Sequence, residues 1–528
     1  MKLKDILSGQ LNAAAWEQKG YELPKFDIKA LRERTYKEPT WVHFGGGNIF
    51  RAFPAAILND ALNTGQYDRG VIVAETFDFE VIDKAYQPYD NLSLYVALRS
   101  DGNIEKKVIA SVTEALKADY QFQDWQRLVD IFRQPSLQMI SFTITEKGYS
   151  YNDADLARGL KPVFALGKVT ALLYERYQAG QLPLTIQSMD NCSHNGDKVR
   201  QGVMAYAERW AKDGLVEEGF LSYLKDETKV TFPWSMIDKI TPRPHEKVKE
   251  LLQQDGFEDN NYIETERHTF TAPFVNAEEV QYLVIEDNYT NGRPPLHLGG
   301  ALYTTRETVD KVETMKVTTC LNPLHTAMSI YGCMLGYTLI SAEMQDDDLR
   351  AFIQKIGYME AMPVVTDPGV LNPYEFIGAV INKRLPNPFM PDAPQRIAMD
   401  TSQKLPIRFG ETIKKYIARG LDMKNLVLIP LTLAGYARYL KGLKDDLTPF
   451  EPSPDPMLQE LQQIVSPLEV GRQNQDFSCL KQLYSRKDVF GLDLYQAGLG
   501  EQIEDYVKEL FAGAGAVRKT LHKYVAQR

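Results

Sequence analysis

Cysteine is scarce in this chain, and its spacing argues against a disulfide framework. The 528 residues include only four cysteines, at positions 192, 320, 333 and 479, and no two of them form a C-x-x-C pair. Widely separated cysteines are typical of reduced thiols in a cytoplasmic protein. We therefore expect a cytoplasmic protein whose fold is held by a packed core.

Basic charge and long apolar runs are lacking as well. The formal net charge is −10 and the pI is near 5.4, which argues against a nucleic-acid binder. The N-terminus has no apolar segment typical of a signal peptide. The best membrane-span candidate, residues 326–342, is rich in Ser, Thr, Gly and Tyr, which favours a buried core helix. A globular protein without a membrane segment is therefore expected. The length of the chain predicts two or more domains.

The stretch from Val42 to Phe53 is the most informative, and it reads V-H-F-G-G-G-N-I-F-R-A-F. A short buried strand, a glycine turn at Gly45 to Gly47 and a helix start at Asn48 are expected. Glycines let a backbone approach a phosphate, and the first N–H groups of a helix point at it. This order is typical of the first βα unit of a dinucleotide-binding fold, although a G-x-G turn alone is weak evidence.

An acidic residue ends the next apolar run, Gly70 to Glu75. The carboxylate at the end of a second Rossmann strand binds the adenosine ribose, and it would repel the 2′-phosphate of NADP. Glu75 is the candidate for this role, with Asp78 as the alternative, and NAD is therefore expected. The gap of thirty residues from Gly45 predicts a long helix or an insertion. A surface glutamate is the other interpretation.

Two further predicted strands run into polar turns. Gln138 to Ile144 leads into T-E-K-G-Y, which contains Glu146, and Pro183 to Ser188 leads into M-D-N-C-S-H-N-G. Ligands bind at the carboxyl ends of strands in open α/β sheets, although either turn could simply be solvated or cap a helix. Cys192 and His194 have no second pair nearby, so no metal site is predicted.

The second half of the chain is predicted to be mostly helical. Residues 230–244 contain three prolines and are expected to form an ordered loop, and strand patterns become rare after residue 290. Long helical patterns follow, including Lys311 to Ile340. The expected organisation is an α/β Rossmann-like domain with insertions over residues 1–300 and a mostly α-helical substrate domain over residues 301–528.

Three polar residues punctuate the apolar stretch that enters the helical half. Lys316, Asn322 and His325 lie in M-K-V-T-T-C-L-N-P-L-H, and the last two share one helix face. Desolvation favours the neutral form of an amine, which suits general acid–base chemistry, and an amide and an imidazole can bind an alcohol oxygen. A surface lysine beside a core histidine is the alternative.

Taken together, six motifs in order resemble the polyol-specific long-chain dehydrogenases, the mannitol dehydrogenase family. They are H-F-G-G-G-N-I-F-R, T-E-K-G-Y, S-M-D-N-C-S-H-N-G, F-P-W-S-M-I-D-K-I-T-P, V-I-E-D-N-Y-T-N-G-R-P-P and M-K-V-T-T-C-L-N-P-L-H. The resemblance covers about residues 40 to 410. It implies a Rossmann domain, a helical substrate domain and metal-independent hydride transfer between NAD(H) and a polyol or sugar acid.

The resemblance also implies roles for single residues. Lys316 matches the catalytic lysine, Asn191 and Asn322 match asparagines that hold the reacting oxygen, and His325 matches the histidine beside it. Arg384 matches a substrate-contacting arginine, and Lys239 is a second substrate candidate. The expected cofactor contacts are Gly45, Gly47, Asn48, Ile49, Arg51, Glu75, Glu146 and Asp238. Residues 396–408 look like a structural stretch of the family.

One spacing departs from the family pattern. Five residues separate Lys316 from Asn322, where the family has four. On a regular helix the extra residue would rotate Lys316 by about 100° relative to Asn322. We expect either a local bulge or a lysine placed just before the regular helix.

The resemblance is strongest to the fructuronate reductase branch, so the expected reaction interconverts D-mannonate and D-fructuronate. A sugar acid needs a cationic partner, and Arg384, Lys239, Arg243 and Arg408 are available. Alternatives are a mannitol or arabinitol 2-dehydrogenase, a tagaturonate reductase, an epimerase that retains NAD, and a non-catalytic nucleotide sensor. The expected partner is a small molecule, and the expected assembly is a monomer or small homo-oligomer.

Overall fold

The fold was analysed in a computed structural model that describes residues 1–527. The chain forms two compact units. The first holds residues 1–99 and 103–310, and the second holds residues 100–102 together with the chain from residue 311 onward.

The first unit is built on a six-stranded sheet in which every pair of neighbouring strands is parallel. In chain order the strands are Trp41–Phe44, Val71–Glu75, Val112–Lys117, Met139–Phe142, Leu184–Ser188 and Val230–Thr231. Their order across the sheet is third, second, first, fourth, fifth, sixth. This is the Rossmann order. Successive strands are added toward one edge of the sheet up to the third strand and toward the other edge from the fourth, so the switch point lies between the first and fourth strands.

The parallel sheet is buried on both faces because its strands are apolar at successive positions. Val42 and Ile72 pack into a cluster on one face, while Trp41 and Val71 pack into a cluster on the other. Several helices of this unit contribute residues to these two clusters. The α-helices of the unit are Asp5–Ser8, Ala13–Gln18, Ile28–Lys37, Asn48–Ala52, Pro54–Asn63, Asp124–Phe132, Asp153–Leu156, Ala165–Gln178, Asn195–Lys212, Glu218–Lys225 and Glu246–Gln254.

Three smaller sheets complete the first unit. A mixed sheet has the order Tyr21–Glu22, Ile104–Ile109, Ser93–Leu98 and Phe274–Glu278, a second has the order Ser235–Asp238, Tyr282–Glu286 and Leu302–Thr304, and a third pairs Ile263–Glu264 with Phe270–Thr271. The prediction of a loop over residues 230–244 was therefore wrong in part. Ser235–Asp238 is a strand because Tyr282–Glu286 pairs with its backbone, and the sequence, which predicted a strand at Tyr282 to Asp287, did not reveal this pairing.

The second unit is helical. After Arg306–Met315, which crosses the unit boundary, its α-helices are Asn322–Leu335, Ile340–Glu343, Asp347–Lys355, Pro373–Ala379, Pro394–Ile397, Thr401–Leu405, Glu411–Ala418, Leu428–Tyr439, Leu458–Val465, Cys479–Tyr484, Lys487–Phe490, Gly500–Leu510 and Ala516–Gln527. Every residue of Leu428–Tyr439 is buried, so this helix forms the centre of the unit. The two units confirm the predicted fold class.

Four π-helical turns interrupt the helices of the second unit. They are Lys316–Cys320, Ile356–Ala361, Val380–Arg384 and Pro406–Gly410. The predicted helical stretch from Lys311 to Ile340 is helical over most of its length, but a π turn, a non-helical Leu321 (φ −130°, ψ −64°) and a left-handed Gly336 divide it. Within residues 1–527 we find no helix long and apolar enough to cross a membrane.

Candidate active site

The glycine turn follows directly from the first parallel strand. Gly45 has φ +106°, and a Cβ atom at this position would lie 2.2 Å from the backbone oxygen of Thr143. Only glycine fits there, since both the dihedral angle and the space exclude a side chain. The helix Asn48–Ala52 begins three residues after Gly45, and its first N–H groups have no intrahelical acceptors. The geometry suits the close approach of a phosphate.

The thirty residues from Gly45 to Glu75 contain two consecutive helices and a connecting segment. Phe53 leaves the helical region at φ −131° and ψ −78°, and a second helix, Pro54–Asn63, follows. Residues 64–70 then lead into the second strand.

Glu75 is buried and its carboxylate accepts hydrogen bonds from four backbone N–H groups. Oε2 accepts from Gly46 at 2.8 Å, and Oε1 accepts from residues 76, 77 and 78 at 3.0–3.3 Å. Burial raises the pKa of Glu75, while the four N–H groups act in the opposite direction. The carboxylate therefore holds the glycine turn to the end of the second strand. A contact of Glu75 with a ribose stays a prediction.

The side chains of Asn48 and Arg51 face the segment 270–272. The Arg51 guanidinium is 1% exposed and donates to the backbone oxygen of Ala272 and to Asn48 Oδ1, both at 2.8 Å, and to Thr271. Asn48 Oδ1 also accepts from Thr271 at 2.7 Å. These side chains fix the position of the helix, so a cofactor contact by this stretch would use its backbone. The predicted contacts of Asn48, Ile49 and Arg51 stay predictions.

Two loops at the carboxyl edge of the sheet are joined by Asp190, which the sequence interpretation treated only as part of a polar cluster. Its carboxylate accepts from the backbone of Ile144 at 2.9 Å, from Thr145 at 3.1 Å and from the Tyr149 hydroxyl at 2.6 Å. Thr145 has φ +63°, which is unfavourable for a β-branched residue. Asp190 thus links the loop after the fourth strand to the loop that carries Asn191.

The two predicted site residues on these loops are exposed. Asn191 follows Asp190 at the surface of the unit, and Glu146 pairs with Lys198 at 2.8 Å, an interaction that lowers the pKa of Glu146. Asn195 is fully buried and exchanges hydrogen bonds of 3.0 Å with the backbone of Ser235. The loop therefore has a rigid base and an accessible tip.

His194 lies at the surface and belongs to no metal-binding cluster among the described residues. Its ring stacks on Trp234 with centroids 3.9 Å apart, and Nε2 lies 3.1 Å from Asp310 Oδ1. No group of three or more His, Cys, Asp or Glu residues with metal-site geometry occurs in the described part of the chain. The ring of this exposed histidine is therefore held against Trp234.

Asp238 ends the strand Ser235–Asp238, and Lys239 follows it. Asp238 is buried, with 5% of its surface exposed. The Lys239 ammonium donates to the backbone oxygen of Glu278 at 2.6 Å, to Tyr95 Oη at 3.0 Å and to Gln281 at 3.2 Å. These contacts favour a structural role for Lys239, and its predicted substrate contact stays a prediction.

In the second unit, the extra residue between Lys316 and Asn322 falls within a π turn. Lys316 is the first residue of that turn, is 5% exposed, and its backbone oxygen accepts from Leu321 five residues later at 3.1 Å. A π turn inserts one residue into a helix, and such turns are frequent at functional sites. The expected bulge is present at the expected place.

Asn322 and His325 lie in the first turn of the next helix. The His325 ring is 13% exposed, and its Nε2 lies 3.8 Å from Asp392 Oδ2 without forming a hydrogen bond. Burial, assisted by Arg408, Arg384 and Arg396, lowers the pKa of His325 to about 4, although Asp392 acts in the opposite direction. The imidazole is therefore neutral near neutral pH and can orient an oxygen by hydrogen bonding.

Charged residues around His325 were only partly anticipated from sequence. Arg384 is 2% exposed and ends the π turn Val380–Arg384, and its predicted substrate contact stays a prediction. Asp392 forms an ion pair with Arg396. The sequence analysis interpreted residues 396–408 as a structural stretch and did not consider Asp392. Neither this stretch nor Asp392 belongs to a motif with a known chemical mechanism.

Each unit therefore carries part of the predicted chemistry. The first unit presents a glycine turn and two polar loops at the carboxyl edge of a Rossmann sheet. The second presents a buried lysine, an amide, a neutral imidazole and arginines around one helix start. Such groups can accept a proton, donate to an alkoxide and bind an anion.

Two family models match the chain in succession. The model described as mannitol dehydrogenase Rossmann domain matches residues 39–298, and the model described as mannitol dehydrogenase C-terminal domain matches residues 308–511. A D-mannonate oxidoreductase of Thermotoga maritima is 51% identical over 528 residues, which cover 97% of each chain. A mannitol 2-dehydrogenase of Cereibacter sphaeroides is 30% identical over 460 residues, 83% of this chain and 87% of the relative.

Solved structures show the same fold. The substrate-free crystal structure of a D-sorbitol dehydrogenase has a TM-score of 0.77 and 24% identity, covering 94% of this chain and 97% of that one. A Pseudomonas fluorescens mannitol 2-dehydrogenase, in a ternary complex with NAD and D-mannitol, has a TM-score of 0.68 and 24% identity, covering 98% and 100%.

Proposed function

The chain belongs to the mannitol dehydrogenase family of oxidoreductases, and we propose that it interconverts D-mannonate and its keto form, D-fructuronate, with NAD. The observation that carries the proposal is the 51% identity, over 97% of both chains, to a relative named D-mannonate oxidoreductase. The relative named mannitol 2-dehydrogenase is much more distant, at 30% identity.

The glycine turn supports a dinucleotide in the first unit. Gly45 has φ +106°, and a Cβ there would lie 2.2 Å from the Thr143 backbone oxygen, so only glycine fits this turn, which leads into the N-terminus of the helix Asn48–Ala52. When bound, NAD supplies the carbon that accepts the hydride. The buried carboxylate of Glu75 beside the turn disfavours the extra phosphate of NADP, because two negative charges would repel each other.

In the proposed oxidation, Lys316 in its neutral form accepts the proton of the substrate hydroxyl. Asn191 and Asn322 donate hydrogen bonds to the developing alkoxide, which preorganised donors stabilise. His325 orients the substrate oxygen, a role that suits a histidine whose pKa is about 4. In the reduction the same lysine returns the proton, by microscopic reversibility.

The test is an initial-rate assay of the purified full chain that follows NADH by absorbance. D-mannonate, D-altronate, D-mannitol and D-arabinitol are each supplied with NAD and with NADP. We expect the highest kcat/KM for D-mannonate with NAD. A higher value for D-mannitol would replace the proposal by a mannitol 2-dehydrogenase, and epimerisation of a sugar acid without NADH release would indicate the NAD-retaining alternative.

A further inference from the structure

Arg408 places a partly buried guanidinium beside the start of the helix that carries Asn322 and His325. It lies in the π turn Pro406–Gly410, which packs against both that helix and the π turn of Lys316. Its Nη1 lies 2.5 Å from Thr326 Oγ1 and 3.5 Å from the backbone oxygen of Asn322. The guanidinium is therefore held next to the predicted reaction centre.

Arg408 has fewer acceptors than its burial calls for. Desolvation lowers its pKa to about 10, as it does for Arg176 in the first unit. Arg176 compensates with five hydrogen bonds to backbone carbonyls. Arg408 has only the two contacts of Nη1, and no carboxylate among residues 1–527 forms an ion pair with it. A desolvated charge of this kind is normally paired.

The unused donors of Arg408 form one edge of its fork. Nε and Nη2 make no hydrogen bond within the described chain. Neither atom is fully buried, so both remain accessible to a ligand. Two parallel N–H groups on one guanidinium edge match the two oxygens of a carboxylate.

Several cationic side chains lie around His325. Arg384, Arg396 and Arg408 lower the pKa of this ring, whereas Asp392, which is paired with Arg396, acts in the opposite direction. A cationic environment attracts an anionic substrate and contributes little to the binding of a neutral polyol. Lys239, the cation predicted from sequence in the first unit, already has three acceptors.

We propose that Arg408 binds the carboxylate of a sugar acid through Nε and Nη2, and so determines the preference for aldonates over neutral alditols. The proposal deepens the proposed function and rests on it for the identity of the site. Arg408 acts in substrate binding and takes no proton.

The test measures equilibrium binding, which does not depend on turnover. Calorimetric titration of the NAD-loaded full chain gives the dissociation constants of D-mannonate, D-altronate and D-gluconate, and of D-mannitol as the neutral match. In Arg408→Gln we expect the tightest-binding aldonate to weaken roughly 10- to 100-fold, the range for a lost hydrogen bond to a charged group, and D-mannitol to change less than about twofold. Arg408→Lys keeps the charge but loses the fork, so an intermediate loss is expected.

Arg472 provides the matched control, since it is an exposed arginine that forms an ion pair with Glu469. Arg472→Gln should bind every ligand like the wild type. Retained D-mannitol binding shows that Arg408→Gln is folded, and should this variant fail to fold, the Arg408→Lys titration decides. The inference would be overturned if the deciding Arg408 variant had the same ratio of aldonate to alditol affinity as the wild type. It would also be overturned if the wild-type protein bound no aldonate more tightly than D-mannitol. If the protein bound an aldonate in an Arg408-dependent way but did not oxidise D-mannonate, only the proposed substrate would be rejected.

Discussion

Glu343→Gln should change how the stability of the helical unit depends on pH. Glu343 is fully buried in the helix Ile340–Glu343, and neither carboxylate oxygen accepts a hydrogen bond within residues 1–527. It packs so closely on Gly332 that a Cβ there would lie 1.9 Å from Oε1. Burial, assisted by the charge of Asp346, raises the pKa of Glu343 well above its usual value. The folded protein therefore holds this side chain as a neutral acid.

The magnitude follows from proton linkage. An unfolded glutamate has a pKa of about 4.3, so between that value and the raised folded pKa the folded state binds one proton more than the unfolded state. The contribution of Glu343 to stability is thus complete below the unfolded pKa and is lost as pH rises toward the folded pKa. The loss is about 1.4 kcal/mol for each pH unit in this window. Glutamine has the same shape and no proton to lose.

We expect Glu343→Gln to gain stability relative to the wild type as pH rises from 5 to 7, by up to roughly 2.7 kcal/mol. Urea unfolding can resolve the helical unit, since all five tryptophans precede residue 235 and report on the first unit. Far-UV circular dichroism reports on both units, so the transition seen by dichroism and not by tryptophan fluorescence belongs to the second.

The control is a second buried glutamate with the opposite environment. Glu360 accepts hydrogen bonds of 2.8–2.9 Å from three backbone N–H groups at the start of the helix Leu428–Tyr439. Glu360→Gln removes a negative charge from a helix N-terminus and should destabilise the unit at pH 7. Parallel pH profiles for the wild type and Glu343→Gln would refute the reasoning about Glu343.

Three further outcomes are expected. Lys316→Ala should lower kcat by about 10²- to 10⁴-fold with a smaller change in KM, whereas a near-wild-type rate would reject its role as general base. Gly45→Ala should weaken NAD binding measured by calorimetry, because the added Cβ would meet the Thr143 backbone oxygen at 2.2 Å, and an unchanged affinity would argue against the glycine turn as the phosphate site. Glu75→Gln should weaken NAD and NADP together if the carboxylate only holds Gly46, while a selective gain for NADP would reveal a ribose contact.

Patterns that depend on neighbouring residues were predictable from the sequence. The Rossmann unit follows from apolar β-branched runs such as Val71–Glu75 that alternate with helical patterns, and the glycine turn follows from the backbone freedom of Gly45. Compared with the family pattern, the extra residue between Lys316 and Asn322 predicted either a bulge or a lysine just before the regular helix, and the structure has a π turn there.

Features that depend on distant partners were decided only by the tertiary structure. The strand Ser235–Asp238 exists because Tyr282–Glu286 pairs with it, and the carboxylate of Glu75 faces Gly46 rather than open solvent. From the sequence, Arg408 was only one of four cations available for the carboxylate of a sugar acid. Its significance arises because folding removes water from the guanidinium without supplying a carboxylate, and burial and pairing of a charge are properties of the packed chain.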